Sequence, residues 1–193
     1  MSNSNQLSKA QLRAAMRSLR ATLAAASPDA AERAAEALPL ERLPAFATFS
    51  GYHALGSEID PSPLIRRLSA TGALLALPVA MGREESLAFR AWDSRDALVP
   101  DALGVPAPPP SAPGLHPDLV IAPLLAFDRK GGRLGQGGGH YDRTLEHLRT
   151  GKPVFVLGLA YAGQEVADIA CEPHDQRLDA ILTETGYIEV LRT

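Results

Sequence analysis

The hydrophobic positions of this chain recur first at helical spacing. Apolar side chains three or four positions apart predict an amphipathic helix over residues 8–25. The stripe consists of Leu12, Met16, Leu19 and Leu23. A second helix is predicted from Ser27 and Pro28 to about Leu38, because serine favours the cap and proline the first helical position. The chain therefore predicts two helices before its first strand.

Short apolar runs then predict the strands of a sheet. The runs at 45–52 and 74–79 flank a helix predicted over 61–71, so they form a βαβ unit with parallel strands. The run at 86–92 alternates between apolar and polar positions, which predicts a half-buried antiparallel strand. The run at 152–160 is apolar enough to lie inside the sheet. Three further strands are predicted at 119–122, 180–183 and 186–190.

A proline-rich segment separates the two groups of strands. Residues 100–117 contain seven prolines, which excludes a helix or a central strand there. We interpret this segment as an ordered surface loop rather than a domain linker, because neither half of the chain holds a complete sheet. Recognition by a proline-binding partner is the alternative. The element order predicts one three-layer α/β domain over residues 1–193, with a largely parallel central sheet and helices on both faces. Residues 1–7 are expected to form a disordered tail.

Composition narrows the possible functions. The formal net charge of −3 argues against a nucleic-acid binder, because no excess of basic residues offsets phosphate charge. No apolar run approaches the ~20 residues of a membrane span, and the polar N-terminus lacks a signal-peptide core. Cys171 is the single cysteine, which excludes an internal disulfide and suits a reducing compartment. We therefore expect a cytoplasmic protein without membrane or nucleic-acid partners. A monomer is also expected, although the composition does not decide the oligomeric state.

A glycine-rich segment between a strand and a helix carries the candidate chemistry. Backbone N–H groups within 131–143 can approach phosphate oxygens, and the following helix adds a positive end. A Walker A loop ends in Gly-Lys-Ser/Thr, whereas here Gly139 is followed by His140. The Rossmann fingerprint has its third glycine three residues after the second, whereas the glycines here alternate at 135, 137 and 139. A flexible turn is the alternative. Arg133 can pair with phosphate through its fork, and Asp142 suits a metal ion, so both favour a phosphate site.

The segment 126–142 resembles the signature of the 5-formyltetrahydrofolate cyclo-ligase family. It reads Ala-Phe-Asp-x-x-Gly-x-Arg-Leu-Gly-x-Gly-x-Gly-x-Tyr-Asp. Two shorter patterns, at 9–13 and 174–179, are also similar to family motifs. Three positions depart from the family pattern and affect the detailed contacts of the loop. They are Leu124, where glycine is common, His140, where tyrosine is usual, and Gly138, where some members have lysine.

The resemblance implies a specific reaction. It is the ATP- and Mg²⁺-dependent conversion of 5-formyltetrahydrofolate to 5,10-methenyltetrahydrofolate, with release of ADP and phosphate. Reduced folate and ATP are then the small-molecule substrates, and Mg²⁺ is the cofactor. A non-catalytic ATP- or polyanion-binding module of the same fold is the alternative, which His140 would favour. A sugar phosphate or acyl-CoA substrate is a third possibility. Glu58 and the basic pair Lys9 and Arg13 argue against it, because no further basic cluster is left for a second phosphate pocket.

The resemblance also assigns candidate roles to individual residues. Arg133 and Tyr141 are the expected catalytic residues, without a general base being assigned. Asp142 and Asp175 are expected to hold Mg²⁺. Expected ATP contacts are Lys9, Arg13, Arg133, Leu134, Gly135, Gln136, Gly137, Gly138, Gly139, His140 and Tyr141. Expected folate contacts are His53, Glu58, Gln136, Gly137, Gly138, Gly139 and His140.

Four other polar residues are expected to have no part in the chemistry. Arg17 and Arg20 are predicted to lie on the solvated face of the first helix. Asp60 precedes a proline at a predicted helix start, so we interpret it as a cap. Asp179 is predicted to be structural.

Overall fold

The computed structural model describes residues 8–190, so the tail expected at 1–7 lies outside the described residues. Its α-helices are α1 (Lys9–Ala26), α2 (Ala30–Ala37), α3 (Ser62–Ser69) and α4 (His140–Gly151). Its strands are β1 (Thr48–Ser50), β2 (Leu74–Val79), β3 (Ala88–Ala91), β4 (Val99–Pro100), β5 (Pro106–Ala107), β6 (Leu119–Pro123), β7 (Ala126–Phe127), β8 (Arg133–Leu134), β9 (Phe155–Leu159), β10 (Ala180–Thr183) and β11 (Gly186–Glu189). Two 3₁₀ turns lie at Leu40–Arg42 and Ala162–Gln164.

A seven-stranded sheet in the order β11-β10-β9-β6-β1-β2-β3 forms the centre of the fold. The five inner strands run parallel, and the edge strands β11 and β3 are antiparallel to their neighbours. β6 and β9 pair over five residues, with Ile121 opposite Leu157. Both strands are almost wholly buried, as expected of parallel strands covered on both faces. The predicted parallel sheet and the antiparallel strand at 86–92 are therefore confirmed.

Helices cover the two faces of the sheet. Alternate residues of β6 point to opposite faces, so Ile121 packs in the cluster beneath α2 and α3, while Val120 packs with Leu145 of α4. A third, smaller cluster joins Met16 of α1 to Leu134 of β8. The predicted three-layer α/β architecture is confirmed. Within residues 8–190, no helix combines the length and apolar character needed to cross a membrane.

Several local predictions differ from the structure. α2 begins at Ala30 rather than at Pro28, because Ser27 and Asp29 form a turn in which the Ala30 N–H donates to the Ser27 carbonyl at 3.1 Å. β1 covers three residues, shorter than the run at 45–52. α4 begins at His140, four residues before the periodic apolar positions indicate. The hairpin β7–β8 was not predicted, since two-residue strands are too short to show a period.

The stripe of α1 also differs in one respect. Met16 is buried, but Leu19 is 39% exposed and Arg20 is only 5% exposed. The prediction that Arg20 lies on a solvated face is therefore wrong. Arg20 follows Met16 by four residues, so the two side chains share the face that packs on the rest of the molecule.

The proline-rich segment is an ordered part of the fold. It forms the short hairpin β4–β5 beside the central sheet and leads into β6. Asp101 anchors it, because its carboxylate accepts hydrogen bonds from the backbone N–H groups of Leu103, Val105 and Ala80 at 2.8–3.0 Å. The predicted absence of a helix and of a central strand here is confirmed.

Candidate functional site

A cleft of about 450 Å³ opens at the carboxyl edge of the parallel strands. Tyr52, Ala80 and Pro123 line it from the ends of β1, β2 and β6. Open α/β sheets bind ligands at this edge. A larger hollow of about 870 Å³ lies at the other end of β2, beside Leu74 and Trp92, and contains none of the candidate residues. The chemistry therefore concentrates in the smaller cleft.

The cleft brings together every residue to which the family resemblance assigns a role. These residues come from α1, from the loop after β1, from β8 and the glycine loop, from α4 and from the segment before β10. They are Lys9, Arg13, His53, Glu58, Arg133, Leu134, Gly135, Gln136, Gly137, Gly138, Gly139, His140, Tyr141, Asp142 and Asp175. Residues that bind the same ligands must lie close together, and these residues do. The role of each one stays a prediction.

The glycine loop joins β8 to α4 and has a backbone that suits glycine. Gly137 has φ +107° and Gly139 has φ +66°, both in the left-handed region. Gly139 is the residue before the first turn of α4, so the free N–H groups of that turn border the cleft. A Cβ atom at Gly139 would lie 2.6 Å from Nη1 of Arg143, whose Nη2 donates to the Gly138 carbonyl at 2.8 Å. Alanine at 139 would therefore displace the arginine that holds this loop.

We expect Gly139→Ala to lower kcat/KM for ATP by about ten- to hundred-fold, because the loop would shift relative to the phosphates. Gly72→Ala is the matched control. Gly72 also has a positive φ, +89°, but no atom within 4 Å of its added Cβ, and it lies outside the cleft. Both variants should lose about 1–2 kcal/mol of stability from the left-handed backbone. Equal kinetic losses, measured at saturating folate and a temperature at which both are folded, would contradict this account.

The first helix holds the glycine loop from outside. Nε of Arg13 donates to the Gly135 carbonyl at 3.0 Å. Arg17 is exposed, as predicted, but its guanidinium also donates to the side chain and the carbonyl of Gln136, at 2.9 and 3.3 Å. The two arginines therefore fix the loop residues that precede Gly137. No sequence pattern indicates the Arg17 contact, because it depends on how α1 is placed against the sheet.

A buried arginine and a carboxylate form the centre of the cleft. The side chain of Arg133 is only 4% exposed, and its Nη2 lies 2.6 Å from Oδ1 of Asp142. The same Oδ1 accepts the N–H of Gln176 at 3.0 Å. Nε of Arg133 is buried and has no hydrogen-bond partner among the described residues. The Nε atom is enclosed by protein and gives no indication of a ligand, so the contribution of Arg133 to the cleft is its charge beside Asp142.

Tyr141 lies beside this pair. The guanidinium carbon of Arg133 is 5.7 Å from the centre of its ring, within cation–π range. Burial raises the pKa of the Tyr141 phenol well above its ordinary value, the charge of Glu58 raises it further, and Arg133 opposes both. The phenol therefore stays protonated at neutral pH. It can donate a hydrogen bond or stack, and it is unsuited to act as a base.

A second charged cluster closes the cleft on the side of α1. Nζ of Lys9 lies 2.7 Å from Oε1 of Glu172 and 3.3 Å from Oδ2 of Asp175. The hydrogen bond that Lys9 donates to the Glu172 carboxylate is the main cause that raises the pKa of Lys9. Burial of Asp175 opposes ionisation, but hydrogen bonds from the Glu172 N–H and Lys9 outweigh it and lower the pKa of the carboxyl group. Glu172 was not predicted as a site residue.

The structure also decides how His174 is placed. Its Nε2 lies 3.7 Å from Oδ1 of Asp175, and its side chain is 65% exposed. Within residues 8–190, no group of three or more His, Cys, Asp or Glu side chains is arranged to hold a metal ion by itself.

Glu58 lines the cleft from the loop after β1 and is almost buried, with 7% of its side chain exposed. Oε2 accepts the N–H of Leu55 at 3.0 Å, and Oε1 lies 3.3 Å from Nη1 of Arg20. Asp60 accepts the N–H and the hydroxyl of Ser62 at the start of α3, so its predicted capping role is confirmed. His53 is exposed at the rim.

Apolar residues that were not predicted complete the wall near Glu58. Leu55 comes from the same loop, Leu87 from the residues before β3, and Leu103 and Val105 from the proline-rich segment. Leu55 is 48% and Leu103 41% exposed, although both are large and apolar. Exposed apolar side chains around a polar pocket are typical of a binding site. The cleft therefore offers apolar contacts as well as charged groups to a ligand.

His140 connects the glycine loop to the segment before β3. Its Nδ1 lies 3.1 Å from the Glu85 carbonyl, and Thr144, one turn later, accepts the Leu87 N–H at 2.8 Å. The first turn of α4 is thereby fixed to residues 85–87. Histidine at this position is compatible with the loop and with the start of the helix.

The sequence model of the 5-formyltetrahydrofolate cyclo-ligase family matches residues 5–184. The chain belongs to this family. A relative from Haemophilus influenzae named 5-formyltetrahydrofolate cyclo-ligase is 31% identical over 185 residues, covering 92% of this chain and 98% of the relative. An Escherichia coli K12 relative with the same name is 35% identical over 150 residues, covering 74% and 80%. The family suggested by the loop signature is therefore confirmed.

Solved structures show the same fold. A 5,10-methenyltetrahydrofolate synthetase from Aquifex aeolicus superposes with a TM-score of 0.75 at 24% identity, covering 96% of this chain and 94% of that one. A synthetase of the same name from Mycoplasma pneumoniae gives a TM-score of 0.71 at 20% identity. This chain therefore shares its fold with proteins whose sequences have diverged strongly from it.

Proposed function

We propose that this chain catalyses the ATP-dependent cyclisation of 5-formyltetrahydrofolate to 5,10-methenyltetrahydrofolate, with release of ADP and phosphate. One observation carries the proposal. A single cleft joins a glycine loop and a buried arginine, paired with Asp142, to a buried carboxylate and apolar side chains. Membership of a family of ligases supports catalysis over the non-catalytic binding module. The departure at His140 does not favour the module, because His140 fits the loop.

The proposed reaction makes a poor electrophile reactive. The formyl oxygen attacks the γ-phosphorus of ATP, the bond to ADP breaks, and a phosphorylated formyl group results. The neighbouring folate nitrogen then bonds to the formyl carbon and loses its proton. The carbon–oxygen bond breaks, and phosphate leaves with the former formyl oxygen. Neither step needs a protein nucleophile.

The residues at and beside the glycine loop can supply what phosphoryl transfer requires, which is positioning and charge stabilisation. Backbone N–H groups of the glycine loop and the first turn of α4 face the phosphates. Arg133 offers the fork and Lys9 and Arg13 add positive charge from α1. Arg13 reaches the loop directly, while Lys9 would exchange its contacts with Glu172 and Asp175 for phosphate oxygens.

We infer that Mg²⁺ binds at Asp142 and Asp175, where the donor set fits the ion. Mg²⁺ usually takes one or two carboxylates together with substrate phosphates and water. Gln176, next to Asp175, donates to Asp142, so the two carboxylates lie on adjoining segments beside the glycine loop. When bound, the ion would neutralise phosphate charge. The same chemistry suits a single-domain monomer in the cytoplasm, where ATP and Mg²⁺ are abundant.

On the folate side, Glu58 is proposed to accept two N–H donors from the pterin ring. We expect Glu58→Gln to raise the KM for 5-formyltetrahydrofolate about ten- to hundred-fold, since a charged acceptor becomes a half-matched amide. The KM for ATP should change less than two-fold. Glu184→Gln is the control, because Glu184 also accepts one backbone N–H, from Ala162, but lies outside the cleft. An unchanged folate KM in Glu58→Gln would exclude this role.

The activity itself is tested by mixing the protein with 5-formyltetrahydrofolate, ATP and Mg²⁺ and following the ultraviolet absorbance of the methenyl product. Product should form only in the complete mixture, with one ADP released for each product molecule. Absence of product from folded protein that binds ATP would favour the module or a different substrate. His140→Tyr would then be the first variant to examine.

A further inference from the structure

Arg20 is a buried cation that joins three separate parts of the chain. It extends from α1, and only 6% of its side chain is exposed. Nε donates to the Ser57 hydroxyl at 3.2 Å. Nη1 donates to Oε1 of Glu58 and to the carbonyl of Leu124, each at 3.3 Å. One guanidinium therefore connects α1, the loop after β1 and the end of β6.

These contacts orient the Glu58 carboxylate. Oε1 is held by Arg20 and Oε2 by the N–H of Leu55, so neither the position nor the rotation of the group is free. Each carboxylate oxygen has two acceptor sites, and each therefore keeps one for a ligand. Two acceptor sites, one on each oxygen, suit a ligand that presents two neighbouring N–H donors. An amide N–H beside an amino group, as in a pterin ring, has this arrangement.

Arg20 itself does not line the cleft, whereas Glu58 does. Its charge therefore acts on a ligand through Glu58 and not by contact. Buried ion pairs add little to stability over well-packed apolar residues, because desolvation offsets the attraction. A pair in this place is better explained by the fixed, charged acceptor that it provides.

We propose that Arg20 is a positioning residue for reduced folate, which sets the orientation of the Glu58 carboxylate that receives the pterin N–H donors. This inference rests on the proposed function and extends it to a residue outside the cleft. Because α1 also carries Arg13 to the glycine loop, the test compares folate binding with ATP binding.

The test is Arg20→Met, a substitution of similar length without donors, assayed with 5-formyltetrahydrofolate by titration calorimetry and by steady-state kinetics. We expect the Kd and the KM for folate to rise about ten-fold or more, while the KM for ATP stays within about two-fold. Arg67→Met is the control. Arg67 donates to the carbonyls of Ala35 and Glu36 far from the cleft, so its loss should lower Tm and leave folate affinity unchanged. Wild-type folate affinity in folded Arg20→Met would overturn the proposal.

A double variant decides the case even if Arg20→Met fails to fold. Arg20→Met with Glu58→Gln removes both charges, so no carboxylate is left buried and unpaired. If Arg20 acts through Glu58, the double variant should bind folate as Glu58→Gln does. If the double variant bound folate more weakly than Glu58→Gln by about ten-fold or more, Arg20 would act independently of Glu58, and the proposal would be contradicted. Absence of product from the wild type would count against the proposed function alone, because the binding data decide the role of Arg20.

Discussion

Lysine at position 133 should lower kcat by about 10²–10³-fold, the loss typical of removing one aligned donor from a transition state. The side chain of Arg133 is buried and lines the cleft, and its Nη2 is bonded to Asp142. An ammonium group cannot hold the carboxylate and a phosphate oxygen in the plane of a fork. The expected change is in kcat, with at most a few-fold effect on the KM for folate. Single-turnover measurement of ADP formation reports this step directly.

Arg129→Lys is the matched control for this substitution. Arg129 forms a two-point contact with Glu165, at 2.7 and 3.1 Å, but its side chain is 68% exposed and lies outside the cleft. It should leave kcat unchanged. If Arg133→Lys also kept the wild-type rate with unaltered Tm, Arg133 would be a structural partner of Asp142 and no more.

Asp142→Asn should raise the Mg²⁺ concentration needed for half-maximal activity at least about ten-fold. Asparagine keeps the shape of the side chain and can still accept the N–H of Gln176, but it lacks the charge that a hard cation requires. It also weakens the bond to Arg133, so kcat at saturating Mg²⁺ should fall as well. Mg²⁺ is varied at fixed ATP and folate, with product absorbance as the readout.

Asp168→Asn serves as the control, because Asp168 pairs with Lys130 on the surface and takes no part in the cleft. Its Mg²⁺ dependence should match that of the wild type. An unchanged half-saturation point in Asp142→Asn, together with a lower kcat, would show that Asp142 orients Arg133 without binding the ion.

The sequence predicted those features that depend on neighbouring residues. Buried parallel strands such as β9 are visible as apolar runs, and the loop signature identified the family before any contact was known. The start of α2 was misplaced because Ser27 and Pro28 also suit a turn. Two-residue strands such as β7 carry too few positions for a period to appear.

Features that depend on distant residues could not be predicted in this way. Arg20 is 38 positions from Glu58 and 104 from Leu124, so only the folded chain shows that they meet. Its four-residue spacing from Met16 was the one sequence feature that indicated burial on the same face of α1. It was not decisive, because basic residues are mostly exposed. Glu172 likewise becomes a site residue only because α1 brings Lys9 to it.

The anchoring of the proline-rich segment has a thermodynamic consequence for binding. Prolines restrict the unfolded chain, so less conformational entropy is lost when this segment becomes ordered. Asp101 then fixes the backbone of Leu103 and Val105, which form part of the apolar wall. A ligand therefore meets a wall that is already ordered, and its binding free energy is not reduced by the cost of organising a mobile loop.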